Sequence, residues 1–159
     1  MLVIAFDPSY VVTGYALVDS GRTLVAHGVL RVEGTCHSQR FVWLFDKASE
    51  LCRTFRPGRG VVEVPPPFAY ERSTDEEGKP LNLSAIQKVG FATSVIMTAL
   101  GKQEIKIVEA YAHKWKMMKG KNLNKAEMMD LARNIFPELK SRKITHHECE
   151  AICMAALNY

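Results

Sequence analysis

The sequence lacks the features that mark zinc-binding, secreted and membrane-spanning proteins. Its four cysteines include no Cys-x-x-Cys pair, which argues against a zinc site. No apolar run reaches the length of a transmembrane span, and no signal peptide precedes the first apolar strand. A glycine-rich adenosine-binding motif is missing as well. We therefore expect a protein with reduced, free thiols that acts in the cytoplasm and has no membrane partner.

Charge is modest overall but unevenly distributed along the chain. The 159 residues predict one domain spanning residues 1–159, and the formal net charge is +4. The segment 112–143 holds nine basic and three acidic residues, so its charge is +6 and the remainder sums to −2. A basic segment of this kind permits a nucleic-acid partner but does not require one.

The hydrophobic pattern predicts an α/β fold. Apolar runs bounded by turns indicate strands, and apolar residues three and four apart indicate helices. The predicted strands cover residues 1–6, 14–18, 24–32, 60–64 and 105–108, and the predicted helices start at the N-caps Ser38, Ser84 and Asn124 and near residue 146. Short turns join the first three strands, which should be antiparallel, and helices separate the later strands, which should be parallel. We expect a mixed five-stranded sheet flanked by helices.

Two acidic residues stand at the ends of predicted buried strands. Asp7 follows the apolar residues 2–6, and Glu63 follows Val61 and Val62. Burying a lone carboxylate costs several kcal/mol unless it is paired or bound to a metal. If the two strands are neighbours, their carboxylates form one acidic pocket. The simpler alternatives are that Asp7 belongs only to a turn and that Glu63 is solvated.

The last predicted helix offers two more groups. His147 and Glu150 are three residues apart, which places them on one helical face. His146 and Glu148 point elsewhere and are expected to be solvated. Together with the two strand-end acids, the first pair would form an oxygen-rich site suited to Mg²⁺, and its imidazole slightly favours Mn²⁺. The alternative is an exposed helix face that binds nothing.

Such a site is suited to phosphodiester cleavage. Carboxylates packed closely together repel each other, and divalent cations relieve that repulsion. Two metal ions about 4 Å apart would clamp the attacking water and the leaving oxygen. The basic segment 112–143 would hold the nucleic-acid backbone.

The same residues carry a resemblance to a known family. Residues 3–9 read VIAFDPS and residues 13–16 read TGYA; they resemble I-x-G-I-D-P-G-x-x-x-T-G, the first motif of RuvC-type Holliday-junction resolvases in the RNase H-like superfamily. Residues 61–63, VVE, resemble the family's A-I-E, and residues 147–155, HECEAICMA, resemble D-x-x-D-A-x-x-x-A or its H-x-x-D variant. The resemblance covers nearly the whole chain. Ser9 and Glu150 depart from it, since the family has glycine and aspartate there.

The resemblance implies a fold, an activity and a role for each site residue. It implies an RNase H-like fold and a homodimer that makes two symmetric nicks across a four-way DNA junction, with two Mg²⁺ per active site and Mn²⁺ able to substitute. Asp7 would bridge both metals, and Glu63 would help to hold the metal on the leaving-group side. His147 and Glu150 would hold the metal that activates water. The short, divergent sequence is typical of a bacteriophage-encoded member, which would act in the cytoplasm of the bacterial host.

The resemblance also suggests residues that contact DNA. Lys116 and Lys125 match, by order along the chain, lysines that the family places near the scissile phosphate; the alternative is a solvated basic face. Phe68 and Tyr70 fall in a long predicted loop, residues 65–80, where the family carries an aromatic that wedges the crossover. An exposed aromatic can stack on an unpaired base for about 1–3 kcal/mol, although Phe68 could instead fold back on the core. The predicted DNA-binding set is Lys116, Lys125, Phe68, Tyr70, Arg72 and Arg40.

Other functions remain open on the sequence alone. The protein could be another type of metal-dependent nuclease of the superfamily, one that acts on flaps, forks or RNA–DNA hybrids. Such an enzyme would need the same acidic residues. A non-catalytic DNA-binding module could share the fold. A sugar-kinase-like or actin-like ATPase is disfavoured, because those folds need two such domains and a glycine-rich adenosine motif.

Overall fold

A mixed sheet of five strands forms the centre of the protein, as the hydrophobic pattern predicts. The structure is a computed structural model that describes residues 1–65, 82–118 and 121–157. The strands are β1 (Leu2–Asp7), β2 (Val12–Asp19), β3 (Leu24–Arg31), β4 (Arg59–Val64) and β5 (Lys106–Tyr111). They lie side by side in the order β3-β2-β1-β4-β5.

The register of the sheet brings the ends of β1 and β4 together. β1 pairs antiparallel with β2, and Asp7 stands opposite Gly14. β1 also pairs parallel with β4, and Phe6 stands opposite Val62. Because parallel neighbours end at the same edge of a sheet, Asp7 and Glu63, which follow this last pair, lie beside each other. The predicted strand directions are confirmed, since β4 and β5 are also parallel.

Helices cover both faces of the sheet. They are α1 (His37–Phe55), α2 (Leu83–Gly101), α3 (Ala112–Trp115), α4 (Lys125–Ile135) and α5 (His146–Ala156). α1 and α2 pack on one face, while α4 and α5 pack on the other. Since successive strand residues point to opposite faces, Ile4 and Phe6 join the first cluster, and Val3 and Ala5 join the second. β1 is therefore buried on both sides, as its unbroken apolar run predicts.

The N-caps of the first two helices precede the predicted residues. α1 follows Cys36, so Ser38 lies inside the first turn, and its Oγ is 3.2 Å from the Cys36 Sγ. α2 follows Asn82, whose side-chain oxygen accepts a hydrogen bond at 3.0 Å from the backbone amide three residues on. Asn82 therefore holds the capping position that was expected of Ser84. The predicted cap Asn124 is correct, and the glutamate at N3 of α4 completes a capping box.

The basic connection between β5 and α4 has regular structure that the sequence did not predict. α3 follows β5 directly, and a small hairpin of β6 (Met117–Met118) and β7 (Lys121–Asn122) comes after it. A 3₁₀ helix, Pro137–Ser141, connects α4 to the segment before α5. α3 matters for the site because it carries Trp115 and the residue after it back toward the end of β4.

The expectation that no apolar segment reaches the length of a transmembrane span is not met. α2 is long and apolar enough to cross a membrane, judged by length and composition alone. A helix in the core of a soluble protein passes the same test, so a single such helix is weak evidence. In this fold Ala92, Ile96 and Leu100 of α2 lie in the apolar cluster shared with α1 and the sheet.

Gly14 marks the closest approach of α5 to the sheet and yields a test of the packing. A Cβ atom at Gly14 would lie 2.1 Å from the carbonyl oxygen of His147, whereas one at Gly101 would meet nothing within 4 Å. We expect Gly14→Ala to lower the free energy of unfolding by about 1–3 kcal/mol through overpacking. The matched change Gly101→Ala should raise it by up to about 1 kcal/mol. Urea denaturation measures both, and a Gly14→Ala protein as stable as wild type would contradict the close approach.

Candidate metal centre

Three carboxylates converge where β1, β4 and α5 meet. One oxygen from each of Asp7, Glu63 and Glu150 lies within 4.8 Å of the others. Asp7 is the last residue of β1 and Glu63 the penultimate residue of β4, while Glu150 lies in the second turn of α5. The parallel strand pair fixes the first two, and the packing of α5 against β1 and β2 brings the third. The structure thus brings together the three acids that the sequence singled out.

His147 reaches this cluster through Asp7. Its Nδ1 lies 2.5 Å from the Oδ2 of Asp7. This hydrogen bond raises the pKa of His147 above its ordinary value, although burial acts in the opposite direction. The ring nitrogen that could bind a metal without breaking this contact is Nε2. The fourth residue expected at the site is therefore adjacent to the acids and is held by one of them.

Lys116 lies between two of the carboxylates. Its Nζ is 3.3 Å from Glu63 and 3.0 Å from Glu150. Burial disfavours the ammonium, but the neighbouring carboxylates outweigh burial and raise the pKa of Lys116. Only 17% of the side chain is exposed, so the alternative of a solvated basic residue is wrong for Lys116. It is a cation built into the acidic pocket.

Trp115 is a site residue that the sequence did not reveal. It is buried, as expected for a core tryptophan, but its Nε1 also donates a hydrogen bond to Oε2 of Glu63 at 3.0 Å. No spacing pattern connects residue 115 with residue 63. The available signal is chemical: a buried indole N–H needs an acceptor, and a buried carboxylate in the same domain is one.

The pKa values of the acids indicate a pocket that favours a bound cation. Burial and the charge of Asp7 raise the pKa of Glu63 to about 7. The same two causes, in the same order, raise the pKa of Glu150. Negative charge is therefore costly here, and a divalent cation would offset that cost. Hard carboxylate oxygens are the ligands that Mg²⁺ and Mn²⁺ prefer, so these residues fit the metal centre expected from the sequence.

The expectation that Glu148 is solvated is wrong. Glu148 is 9% exposed; one of its oxygens accepts a hydrogen bond from the amide of Thr145 at 2.8 Å, and the other lies 3.1 Å from Nδ1 of His27. His146 is half-buried, and its ring centroid lies 3.9 Å from that of His147. The first turn of α5 packs onto the sheet. Residues of this turn that face away from the acidic pocket therefore contact protein and are not fully exposed to water.

The remaining predicted DNA contacts fall into two groups. Lys125 is exposed at the first residue of α4, which is consistent with a DNA contact and with a solvated residue alike. Phe68, Tyr70 and Arg72 lie outside the described residues.

Arg40 lies in a cluster of two cations around one aromatic ring, the Tyr10 patch, defined by Tyr10, Arg40 and Lys88. The Arg40 guanidinium is 4.9 Å from the centroid of the Tyr10 ring, and the Lys88 Nζ is 5.5 Å from the same centroid. Tyr10 also shares a 2.7 Å hydrogen bond with Nδ1 of His37. Tyr10 stands three residues after Asp7, and the two positive charges that contact its ring come from α1 and α2.

Comparison with known proteins identifies the fold. No family model matches the chain, and no curated protein sequence matches it. The structure of Thermus thermophilus RuvC in complex with Holliday junction substrate superposes with a TM-score of 0.78 at 20% identity, covering 98% of this chain and 90% of that one. A second structure of T. thermophilus RuvC gives a TM-score of 0.73 at 20% identity, with 98% of this chain and 92% of that one covered. The protein therefore has the RNase H-like α/β fold of RuvC.

The raised pKa of Glu63 predicts how stability depends on pH in metal-free buffer. Its folded pKa of about 7 lies above the ordinary 4.5, so the folded state holds a proton that the unfolded state releases. The charged side chain therefore destabilises the fold increasingly as pH rises from about 4.5 to 7. We expect Glu63→Gln to have a higher melting temperature than wild type at pH 8, with little difference at pH 4.5.

The matched control is Glu50→Gln, which removes an exposed carboxylate that pairs with Lys47. Its stability should stay within about 0.5 kcal/mol of wild type. Thermal unfolding followed by circular dichroism in EDTA measures all three proteins. A Glu63→Gln protein less stable than wild type at pH 8 would show that the carboxylate is a net stabilising group.

Proposed function

We propose that the protein is a metal-dependent endodeoxyribonuclease that resolves four-way DNA junctions by paired symmetric nicks. The observation that carries this proposal is the convergence of Asp7, Glu63 and Glu150 at one edge of the sheet, in a fold shared with RuvC. One of the two RuvC structures is a complex with a Holliday junction substrate. Branched DNA is therefore a substrate that this fold is able to bind.

The acidic cluster would hold the metal ions. The carboxylates of Asp7, Glu63 and Glu150, with Nε2 of His147, would bind two Mg²⁺, and Mn²⁺ could substitute. Metal ions at such a site supply Lewis-acid stabilisation of the phosphodiester and a water of lowered pKa. The chain's own contribution is rigidity: Asp7 and Glu63 lie on paired strands, and the Trp115 hydrogen bond fixes Glu63.

Lys116 would serve both the metal-free pocket and the substrate complex. In the metal-free pocket its ammonium neutralises part of the charge on Glu63 and Glu150. Divalent cations at the same carboxylates would repel it. The flexible four-carbon stem lets the ammonium turn toward the substrate phosphate, where it would oppose the negative charge of the reacting group.

Basic residues around the pocket would hold the DNA backbone. Residues 112–143 carry a net charge of +6, and Lys125 is an exposed cation within them. The Tyr10 patch adds two cations, one from α1 and one from α2, around an aromatic ring on the segment that follows β1. Cations of this kind bind phosphates without reading sequence, as a structure-selective enzyme requires. Phe68, Tyr70 and Arg72 stay predictions.

An apolar groove between α1 and α2 supports the proposed homodimer. Val42 is 61% and Phe91 53% exposed, and the groove between them is lined also by Phe41, Phe45 and Val95. A continuous exposed apolar surface commonly marks a protein partner site. A two-fold symmetric dimer would provide two active sites for two symmetric nicks. A phage origin and action in the cytoplasm of a bacterial host complete the proposal.

The function is tested by the cleavage of a labelled four-way junction in Mg²⁺ and, separately, in Mn²⁺. Wild type should make paired nicks at symmetric positions. Asp7→Asn should slow nicking by about 100-fold or more, because it weakens metal binding worth several kcal/mol in the transition state. Asp46→Asn, the same change at an exposed position of α1, should leave the rate unchanged.

Other substrates separate the proposal from its rivals. Fork, flap and RNA–DNA hybrid substrates should be cut more slowly than the junction. Equal rates on all of them would indicate a general nuclease of this fold. Junction binding without nicking in either metal would indicate a DNA-binding module and would overturn the enzymatic proposal.

Lys116→Met tests the role of the built-in cation. Removal of the ammonium leaves Glu63 and Glu150 without their neighbouring positive charge, so we expect Mn²⁺ to bind about tenfold more tightly in the absence of DNA. Nicking should nevertheless become slower, because the charge that opposes the phosphate is lost. Lys114→Met, at an exposed position two residues earlier, is the matched control. Calorimetry measures the affinity, and unchanged affinity would contradict competition between the lysine and the metal.

A further inference from the structure

The contacts of α5 point to a residue outside the pocket that controls the metal ligands. We propose that His27, on β3, is a positioning residue that acts through Glu148 to set the first turn of α5, and with it His147 and Glu150. The inference rests on the proposed function, since it concerns the same metal centre. It assigns a task to a histidine that is remote in sequence from every ligand.

Glu148 is the link between the helix and the sheet. Its backbone amide donates to the hydroxyl of Thr145 at 3.2 Å, and one of its carboxylate oxygens accepts from the Thr145 amide at 2.8 Å. These two bonds form an ordinary capping box, which needs no further partner. The second carboxylate oxygen lies 3.1 Å from the His27 Nδ1. The cap of α5 is thereby attached to β3.

α5 is also held against β2. Because of this second contact, the bond between Glu148 and His27 determines the orientation of the helix. The backbone of His147 lies so close to Gly14 that a Cβ atom there would be 2.1 Å from the carbonyl oxygen. This contact fixes the distance of α5 from the sheet at one point. The bond from His27 to Glu148 adds a point on the neighbouring strand, and two points on two strands restrict rotation of the helix about its axis.

That rotation determines the geometry of the metal centre. Glu148 lies one residue after His147 and two before Glu150, so all three share one turn of helix. A change in the direction of Glu148 moves both ligands relative to Asp7 and Glu63, which are held independently by the sheet. The His27 and Glu148 side chains are 13% and 12% exposed, so water competes little for their contact. Partners that orient metal ligands typically change metal affinity by 10–100-fold when removed.

The test is Mn²⁺ affinity, measured by calorimetry without DNA at a temperature where circular dichroism shows each variant folded. We expect His27→Ala to bind Mn²⁺ about tenfold more weakly than wild type. His27→Asn, whose amide nitrogen is attached to Cγ as Nδ1 is and can donate to Glu148, should recover much of the loss. The control is His37→Ala, which removes a histidine at the start of α1 that shares a hydrogen bond with Tyr10. This variant should bind Mn²⁺ as wild type does. If His27→Ala fails to fold, His27→Leu provides the same test with the space filled.

The outcomes distinguish this inference from the proposed function. Equal Mn²⁺ affinity for wild type and folded His27→Ala would overturn the positioning role, even if wild type nicks junctions normally. Loss of folding in both His27→Ala and His27→Leu would also overturn it, by making His27 a residue of general stability. If wild type binds Mn²⁺ with the expected His27 dependence but nicks no DNA, the inference stands and the nuclease proposal fails. Absence of Mn²⁺ binding by wild type would overturn both.

Discussion

Repulsion among three carboxylates is the interaction on which the rest of the site depends. Asp7, Glu63 and Glu150 present oxygens within 4.8 Å of one another in a largely buried pocket, and burial together with Asp7 raises the pKa of the other two. Such a cluster needs compensating groups. Lys116 supplies a charge within 3.3 Å of Glu63, and Trp115 supplies a hydrogen bond to the same carboxylate. The positions of Lys116 and Trp115 thus follow from the need to compensate the buried carboxylates.

The same constraint extends into the fold. Two of the carboxylates can meet only because β1 and β4 are parallel neighbours that end at one edge. The third arrives only because α5 approaches β2 at a position without a side chain, Gly14. The N-terminal end of α5 carries a partial positive charge, which favours a carboxylate near its first turn, and Asp7 contacts His147 there. Backbone geometry therefore gathers the charges and also offsets part of their cost.

Much of this arrangement could be predicted from the sequence, because it depends on local pattern. An apolar run that ends in an acid identified both β1 and Asp7, and i,i+3 spacing placed His147 and Glu150 on one face. What the sequence could not provide were contacts between distant elements. Glu148 was expected in solvent because helical spacing says which residues share a face but not which faces meet the sheet. Trp115 and His27 contact residues 52 and 121 positions away, and no local pattern encodes such pairs.

The groups that offset the negative charge in the pocket are those expected of a metal centre and differ from those of a structural ion network. A permanent buried network favours arginine, whose planar guanidinium holds carboxylates through two parallel hydrogen bonds and does not lose its charge. This pocket uses Lys116, a point charge on a flexible stem, and His147, an imidazole that exists in charged and neutral forms. Glu63, with a pKa of about 7, holds a proton that can also leave. Each compensating group can be displaced by a stronger cation, and the acids that remain, fixed by strand pairing and by α5, are oxygen ligands. Such a pocket suits the proposed exchange of a weak internal cation for a divalent metal.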